Sequence, residues 1–434
     1  MNPDIIPDEP LQWKLVRNSV WLYFFTFLIA PAGYIIKLIV ARELSVEDIG
    51  LFYSILWLIS IISTYNDLGL TEALQYYIPH YLIDKEYAKA KTILVFTRLM
   101  QFVSGILISG ILYLGSDWIA LHYFKTDQAS LLLKYFSIYF IIINLFQVIQ
   151  SLFIATQKVK RSQGIDVIRM RTIVILTVVS AYRWLLTVYT FTQWRLIGII
   201  AAIICSRRWL KKNFLRLFRD YPIERDKQLI KKQRSYGLWI LIGAGAGALL
   251  GQINQQIALY AFWARAAGYR TNYLSFYTIA ATITGPIISY LFPLLNELYK
   301  KGESDKIKLL YRILFSWTIL FWIIGWIGWY FFAEPVSVLL FGEQFRQSGI
   351  LFQHYAPFII TIPLIGILFQ DIASRGMVRQ RVHILVAALI VNSIASIILW
   401  KLYGLTGLVY AQLCGNIIMV LYGWYRYHRW PHTI

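Results

Sequence analysis

Residues 131–154, LLLKYFSIYFIIINLFQVIQSLFI, decide the fold class, because Lys134 is the only charged side chain in this apolar run. At about 1.5 Å per residue, a helix of this length is longer than the roughly 30 Å hydrocarbon core of a bilayer. The run therefore predicts a transmembrane helix. Its amides Asn144, Gln147 and Gln150 recur every three residues, which places them on one face of that helix.

Runs of the same kind recur along the whole chain, which has 434 residues, 58% hydrophobic and only 15% charged, with a mean hydropathy of +0.56. Soluble domains contain about 25% charged residues. The predicted spans are 18–40, 50–78, 97–115, 131–154, 172–191, 194–206, 236–260, 271–295, 310–333, 350–373, 383–400 and 404–425. This pattern predicts an all-α polytopic membrane protein with about twelve helices. The fifth run is interrupted by Arg183 and the sixth is short, so ten spans plus a re-entrant hairpin is the alternative.

The net charge of +20 is spread over the connections between these runs rather than gathered on one basic face, which argues against a nucleic-acid partner. Lys and Arg are dense in alternate connections, most of all in 207–234, and cytoplasmic connections carry this excess. Both termini are therefore predicted to be cytoplasmic, with the chain in the inner membrane. The few basic residues assigned to outside connections are Arg42, Lys125, Arg195, Arg265, Arg270, Arg346 and Lys401.

The two halves of the chain repeat each other. The four pairs that align at nearly one shift are Gly50 with Gly268, Pro79 with Pro293, Lys89 with Lys306, and Phe136 with Tyr355. An even number of spans per half makes this a parallel repeat, as in other secondary transporters. We therefore expect an N-terminal six-helix half at 1–205, a basic cytoplasmic linker at 206–235, and a C-terminal six-helix half at 236–434.

Signatures of an enzyme, a metal site or a nucleotide loop are missing, so we expect no catalytic residue, metal or cofactor. The glycines Gly243, Gly247 and Gly251 lie four residues apart within an apolar run and predict close helix packing. Polar residues within the spans are more informative, because burying them in hydrocarbon is costly unless they face a cavity or a partner. Those that we assign to a substrate pathway are Lys37, Asn66, Asp67, Glu72, Arg98, Gln147, Gln252, Asn254, Gln255 and Asn296. Each of these residues also has a structural interpretation, in which its side chain reaches out to the membrane surface or joins neighbouring helices instead of lining a pathway.

Three segments resemble the polysaccharide transporters of the MOP exporter superfamily, the oligosaccharide-lipid flippases of the Wzx type. They are NDLGLTEALQYYIP at 66–79, AGYRTNYLS at 267–275 and GPIISYLFPLLNELY at 285–299. The resemblance implies two six-helix bundles around a central cavity, working by alternating access. It also implies a substrate, polyprenyl-diphosphate-linked oligosaccharide such as a polysaccharide or O-antigen repeat unit, whose head group meets a cationic lumen.

The matching motifs carry Asn66, Asp67 and Glu72 in the first half and Asn272 and Asn296 in the second, and the resemblance implies that they line the pathway. Lys37, Arg98 and the amides from Gln252 to Gln256 rest on the cost of burial alone. The hairpin 167–206 departs from the family pattern because it is shorter and more basic. This departure again concerns the fifth and sixth helices.

Two other functions stay open. A cation-coupled small-molecule or multidrug antiporter of the same superfamily should carry more acidic residues in its spans. An integral-membrane glycosyltransferase or polymerase should have a large outside loop with catalytic carboxylates, and the predicted outside loops are short. Asp67, Glu72 and His80 are candidates for coupling to H+ or Na+. We expect a monomer, since the repeat already supplies two halves.

Overall fold

A computed structural model describes residues 11–429, apart from 68, 157, 212–213, 215–217, 225–226 and 376. The side chains of Glu72, His80 and Asn296, which the sequence analysis singled out, lie outside the described residues. The described chain is helical, without strands. This confirms the predicted all-α class.

The helices follow the predicted runs in order. In the first part of the chain they are α1 Leu11–Glu43, α2 Val46–Asp67, α3 Leu70–Ile83, α4 Tyr87–Leu114, α5 Gln128–Ala155, α6 Val159–Tyr182 and α7 Val188–Leu210. In the second part they are α8 227–262, α9 264–301, α10 Ser304–Phe341, α11 Arg346–Tyr355, α12 Thr361–Ser374, α13 378–403 and α14 405–429. Short turns of helix at Ser116–Ile119 and Ala120–Phe124 connect α4 to α5.

Local breaks divide or join these helices. Trp263, at φ 71°, separates α8 from α9, and Gly404, at φ 60°, separates α13 from α14. Gly69, at φ 67°, interrupts the second predicted span between α2 and α3. A bend of 55° separates α12 from the helical turns before it. When α2 is grouped with α3, and α11 with α12, the described helices form twelve segments, as the sequence predicts.

Six of the described helices are long and apolar enough to cross a membrane, and the bent pair raises this number to seven. In this count Arg379–Tyr425 is one helix although it is broken at Gly404. The α6 helix does not reach the required apolarity, but its 24 residues are enough to cross a bilayer. The chain is a multi-pass membrane protein.

The first of two compact units contains the residues up to Ser45 together with Leu58–Leu241. Here α5 packs against α3, α4, α6 and α7, and α6 also packs against α1. Part of the predicted linker belongs to this unit, because Phe214 and Phe218 are buried. The linker backbone is also hydrogen-bonded to α4. Tyr221 O accepts from the Lys91 ammonium, and the Glu224 N–H donates to Thr92 Oγ1 at 2.8 Å.

The second compact unit contains Val46–Trp57 and the chain from Ile242 onward. Its core is aromatic, with Tyr273, Phe276, Phe352 and Tyr355 fully buried and in ring contact. The segment Val46–Trp57 joins this unit through backbone packing, since a Cβ on Gly50 would lie 1.7 Å from Ala264 O. The predicted close packing at Gly247 and Gly251 is not found, because a Cβ there would meet nothing within 4 Å.

Candidate functional site

A first polar cluster lies in the first unit, where α2 ends. It consists of two hydrogen-bonded groups, Asp67 with Thr71 and Gln101, and Ser63 with Asn144, and the neighbouring Asn66 is buried as well. The side chain of Asp67 is only 7% exposed. Its carboxylate accepts from the Thr71 hydroxyl at 2.8 Å, from the Thr71 backbone N–H at 3.3 Å and from Gln101 Nε2. The Thr71 N–H, one of the first of α3 and so without a partner within that helix, is thereby satisfied by this carboxylate.

Asn144 extends the cluster on the adjacent α5. The Ser63 hydroxyl donates to Asn144 Oδ1 at 2.9 Å, and Asn144 Nδ2 donates to Phe140 O at 2.8 Å. In contrast, both amide atoms of Asn66 are buried without a hydrogen-bond partner, and so is Oε1 of Gln101. The cluster therefore contains both satisfied polar groups and polar groups with unused bonding capacity.

A second polar cluster, formed by Ser54, Gln255, Arg270, Thr271 and Gln412, lies in the second unit. The Arg270 side chain is only 3% exposed. Its guanidinium donates to Gln255 Oε1 at 3.5 Å and to Gln412 Oε1 at 3.3 Å. Within the part of the chain that the structure describes, Arg270 forms no ion pair with a carboxylate. The cluster thus holds a buried positive charge against two neutral amide oxygens.

Gln255 is fixed in this orientation by three further contacts. Its Nε2 donates to Ala267 O at 2.9 Å, to Ser54 Oγ at 3.2 Å and to Thr271 Oγ1 at 3.2 Å. The amide nitrogen is therefore fully occupied, and its oxygen is left for Arg270. Arg270 was assigned to an outside connection by the sequence, and the structure corrects this, since the residue lies inside α9 and is buried.

Asn254, one residue earlier, takes part in a different and saturated arrangement. It exchanges two hydrogen bonds of 3.1 Å with Asn392, accepts from Ser396 Oγ at 2.7 Å and donates to Leu408 O at 3.3 Å. All of its bonding groups are used between helices. This geometry is typical of a pair that holds membrane helices together.

A third buried charge, Asp371, has its own counterion. Asp371 Oδ2 forms an ion pair with Arg375 Nε at 3.1 Å, and Oδ1 accepts from the hydroxyls of Tyr299 and Tyr311. Arg375 also lies over the Tyr299 ring, 4.6 Å from its centroid. These contacts tie α9, α10 and α12 together in the second unit, and they leave Asp371 electrically compensated.

The remaining predicted pathway residues are not gathered into either cluster. Lys37 on α1 is half-buried and lies within electrostatic range of Arg195. Arg98 is exposed on α4, while Gln147 and Gln252 are half-buried. Asn272 is buried and its Nδ2 has no hydrogen-bond partner.

The sequence prediction did not include Gln101, Arg270 and Gln412, which belong to the two polar clusters, or Asn392, the partner of Asn254. Gln101 and Asn392 lie inside predicted spans, so the cost of burying an amide is the signal that applied to them. Arg270 lies one residue before the predicted run 271–295, and a helix that began a few residues earlier would have included it.

Comparison with known structures shows the fold. The chain is similar to an inward-facing multidrug resistance MATE family transporter of the MOP superfamily, with a TM-score of 0.76 and 14% identity over 91% of this chain and 93% of that one. It is also similar to the lipid II flippase MurJ in an inward closed conformation, with a TM-score of 0.73 and 14% identity over 96% of this chain and 88% of that one. The two helical halves are therefore those of the MOP transporter fold.

The sequence is similar to an uncharacterized membrane protein of Methanocaldococcus jannaschii. The two are 22% identical over 425 residues, which cover 94% of this chain and 83% of the relative. A family model described as polysaccharide biosynthesis protein matches residues 15–299, well over half of the chain. This chain belongs to the polysaccharide biosynthesis protein family.

Proposed function

We propose that this protein is a flippase or exporter that moves polyprenyl-diphosphate-linked oligosaccharide across the inner membrane by alternating access. In this proposal it is not an enzyme, both termini are cytoplasmic, and the two six-helix halves at 1–205 and 236–434 are joined by the linker 206–235. Membership of the polysaccharide biosynthesis family supports the substrate class. The fold shared with a lipid II flippase supports the mode of action.

The observation that carries the proposal is Arg270, a buried guanidinium in the second polar cluster with no carboxylate partner among the described residues. A charge buried in a membrane protein is costly, and such residues mark substrate or ion pathways. Arg offers five N–H donors in a planar fork that matches the oxygens of phosphate. The two long bonds to Gln255 and Gln412 leave most of these donors for a diphosphate.

The same cluster argues against the antiporter for cationic drugs. A cationic ligand needs a carboxylate or an aromatic face, whereas Arg270 repels it and the amides of Gln255 and Gln412 are neutral. Asp371, the buried carboxylate of the second unit, is already paired with Arg375. We therefore place the substrate head group, rather than a cation, at the second polar cluster.

The predicted pathway residues remain part of this proposal. They are Lys37, Asn66, Asp67, Glu72, Arg98, Gln147, Gln252, Asn254, Gln255, Asn272 and Asn296. Among them, Gln255 has a specific task, because its oxygen orients Arg270. Asn254 acts in helix packing, given its saturated bonds.

The test uses the purified full-length protein in sealed liposomes that contain a polyprenyl-diphosphate oligosaccharide. The rate at which the sugar becomes accessible to an added glycosidase is measured for the native chain and for Arg270→Gln. Losing charge-assisted bonds of about 1.5–3 kcal/mol should slow exposure at least about tenfold. The matched control is Arg265→Gln, since Arg265 precedes it by five residues, is exposed and lies 3.5 Å from Glu47.

The control should keep the native rate within about twofold, because exposed ion pairs contribute little. A folded native protein that exposes no sugar, even with an ion gradient imposed, would refute the flippase. If Arg270→Gln transports as fast as the native chain, the diphosphate does not meet Arg270.

A further inference from the structure

A basic turn joins α5 to α6 in the first unit, and it has no part in the proposed head-group site. Its cations are Lys158, Lys160 and Arg161, in the connection and in the first turn of α6. The sequence contains no acidic residue from 128 to 165 and none from 167 to 219. The acid between these stretches, Asp166, is already paired with Arg169 at 2.7 Å. The surrounding sequence therefore offers this turn no acidic side chain to balance its charge.

Two of these cations are partly withdrawn from water. Arg161 is half-buried, and its Nη1 is buried without a hydrogen-bond partner among the described residues. Lys158 is also half-buried, with its ammonium 5.3 Å from the centroid of the buried Phe214 ring. Burial, and secondarily the positive charge of Arg161, lowers the pKa of Lys158 to about 8. Two like charges held together in a partly dry place are costly, and a bound anion would remove this cost.

The second unit contains a basic connection whose charge is compensated internally. Arg375, between α12 and α13, pairs with the buried Asp371 at 3.1 Å and donates to the Tyr299 hydroxyl at 3.1 Å. Arg161 forms no ion pair within the part of the chain that the structure describes. The counter-charge that Arg375 finds in its own unit is therefore not provided for Arg161.

The beginning of α6 adds to the attraction for an anion. A helix N-terminus carries a partial positive charge and N–H groups without partners in the helix, and acidic or short polar side chains commonly satisfy them. The α6 helix has no acidic residue in its first turn and no side-chain cap at Lys158. It carries Lys160 and Arg161 there instead, which the helix dipole disfavours. A phosphate group would interact favourably with the N–H groups and with the cations alike.

The basic turn lies where the apolar surface of the first unit ends. Ile154 on α5, four residues before Lys158, is 44% exposed, and Ile204 on α7 is 65% exposed. Both belong to apolar runs of a multi-pass membrane protein, so their exposed surface contacts lipid chains. A Cβ on Gly164, in the second turn of α6, would lie 3.8 Å from the Trp209 ring. Trp is enriched at membrane–water interfaces, so the turn lies at the level of the lipid head groups.

We propose that the basic turn binds the phosphate of an anionic phospholipid, with Arg161, Lys158 and the first N–H groups of α6 as its ligands. Arg presents paired donors that match phosphate oxygens, and Lys adds a point charge. The exposed side chain of Ile154 beside the turn suits the acyl chain of a lipid, and a soluble anion has no such chain. Binding is measured without substrate or transport, so its failure would leave the proposed flippase untouched.

The experiment measures the melting temperature of the purified full-length chain in detergent micelles while phosphatidylglycerol replaces phosphatidylcholine. Both lipids are used with the same acyl chains, so any difference reports the charge of the head group. A ligand that binds the folded state raises stability by mass action, so the melting temperature should rise with phosphatidylglycerol and saturate. The salt concentration is kept at about 0.3 M, because salt screens exposed charges far more than partly buried ones. Inorganic phosphate at the same concentration should stabilise the chain much less.

Arg161→Gln should weaken the apparent affinity for phosphatidylglycerol at least about tenfold, because it removes charge-assisted hydrogen bonds to the phosphate. Lys158→Met should weaken it as well. This second variant keeps the test decisive if Arg161→Gln does not fold, because removing a partly buried charge should not harm the lipid-free protein. The matched control is Arg219→Gln, which removes the same charge from an exposed residue of the linker. The control should keep the native response within about twofold.

Three results would overturn the site. The first is a native chain whose melting temperature rises no more with phosphatidylglycerol than with phosphatidylcholine. The second is an equal loss of the response in Arg161→Gln, Lys158→Met and Arg219→Gln, which would show a general attraction of the basic surface to anionic lipids. The third is equal stabilisation by inorganic phosphate, which would make the occupant a soluble anion rather than a lipid.

Discussion

At the residue scale, Arg270 should be a side chain that lowers stability and serves function. Its guanidinium is buried with only two long bonds to neutral amides, which do not compensate for the loss of water. We expect Arg270→Met to raise the free energy of unfolding, by roughly 1–4 kcal/mol, the range found when buried ion pairs are replaced by apolar residues. The same variant should lose transport in the liposome assay. A Met variant that is less stable than the native chain would show that Gln255 and Gln412 compensate the charge.

Lys158 provides a pH-dependent prediction outside the membrane-spanning segments. It lies between α5 and α6, with its ammonium 5.3 Å from the centroid of the buried Phe214 ring. Burial, and secondarily the charge of Arg161, lowers the pKa of Lys158 from 10.5 to about 8. Below pH 8 Lys158 is protonated in both the folded and the unfolded chain, so the folded chain bears the full cost of removing the Lys158 ammonium from water. Between pH 8 and 10.5 the folded chain releases its proton first, and this cost is relieved.

Lys158→Met should therefore be more stable than the native chain at pH 7, and the difference should shrink as the pH rises from 8 to 10. Thermal unfolding of both proteins across this pH range measures the effect. The control is Lys160→Met, because Lys160 is exposed and two residues away. A stability difference that does not change with pH would mean that Lys158 is hydrated in the folded protein.

The part of the candidate site that the sequence predicts rests on one signal, the cost of burying a polar side chain within a membrane span. Asn66 and Asp67 attracted attention because they are polar within a predicted span, and the structure buries both. The contacts of Asp67 with Gln101 and with the Thr71 N–H depend on how α4 packs and on where the chain breaks, and no local sequence pattern contains this information. Arg270 was misplaced because the break before α9 occurs at Trp263, and Trp is not a residue that signals a helix end.

At the element scale, the contact between α2 and α9 in the second unit depends on two glycines. A Cβ on Gly50 would lie 1.7 Å from Ala264 O, and a Cβ on Gly268 would lie 2.2 Å from Val46 O. Because both clashes are with backbone, neither helix can relieve them by a side-chain rotation. We expect Gly50→Ala and Gly268→Ala each to lower the melting temperature clearly, through forced separation of the helices.

The control for this prediction is Gly247→Ala on α8, where a Cβ meets nothing within 4 Å. Since Ala is preferred over Gly in a helix by about 1 kcal/mol, this variant should be neutral or more stable. Equal destabilisation by Gly50→Ala and Gly247→Ala would mean that the tight contact does not exist in the membrane.

The helices themselves were largely predictable, because apolar runs of membrane length are a strong signal. The hairpin 167–206 was the exception, and the structure gives two helices of 24 and 23 residues there, α6 and α7. The first half of α6 is charged, with Arg169 paired to Asp166 at 2.7 Å, so its apolar run starts late. The predicted run 172–191 therefore begins well after α6 does, and it crosses the end of α6 at Tyr182 into the start of α7 at Val188.

At the scale of the whole molecule, the two compact units do not coincide with the two halves of the sequence, because one early segment belongs to the second unit. Val46–Trp57 comes early in the sequence and yet belongs to the second unit. It supplies Ser54, which contacts both Gln255 and Gln256, and Glu47, which contacts Arg265. The duplicated halves proposed from the sequence are therefore not expected to fold as separate pieces.

A split chain tests this expectation. Cutting after Glu224, beyond the linker residues that pack on the first unit, gives fragments 1–224 and 225–434. The second fragment alone lacks Val46–Trp57, so α9 near Gly268 loses the segment that packs on it, and Gln255 and Gln256 lose their hydrogen bonds to Ser54. We expect this fragment to aggregate when expressed alone, and to be recovered as a monodisperse complex when both fragments are co-expressed and the second is affinity-tagged.

Introducing Gly50→Leu into the first fragment should abolish recovery, whereas Gly110→Leu on α4, where a Cβ meets nothing within 4 Å, should preserve it. A tagged second fragment that is stable and monodisperse without its partner would show that Val46–Trp57 is dispensable, and that the halves at 1–205 and 236–434 are independent folding units.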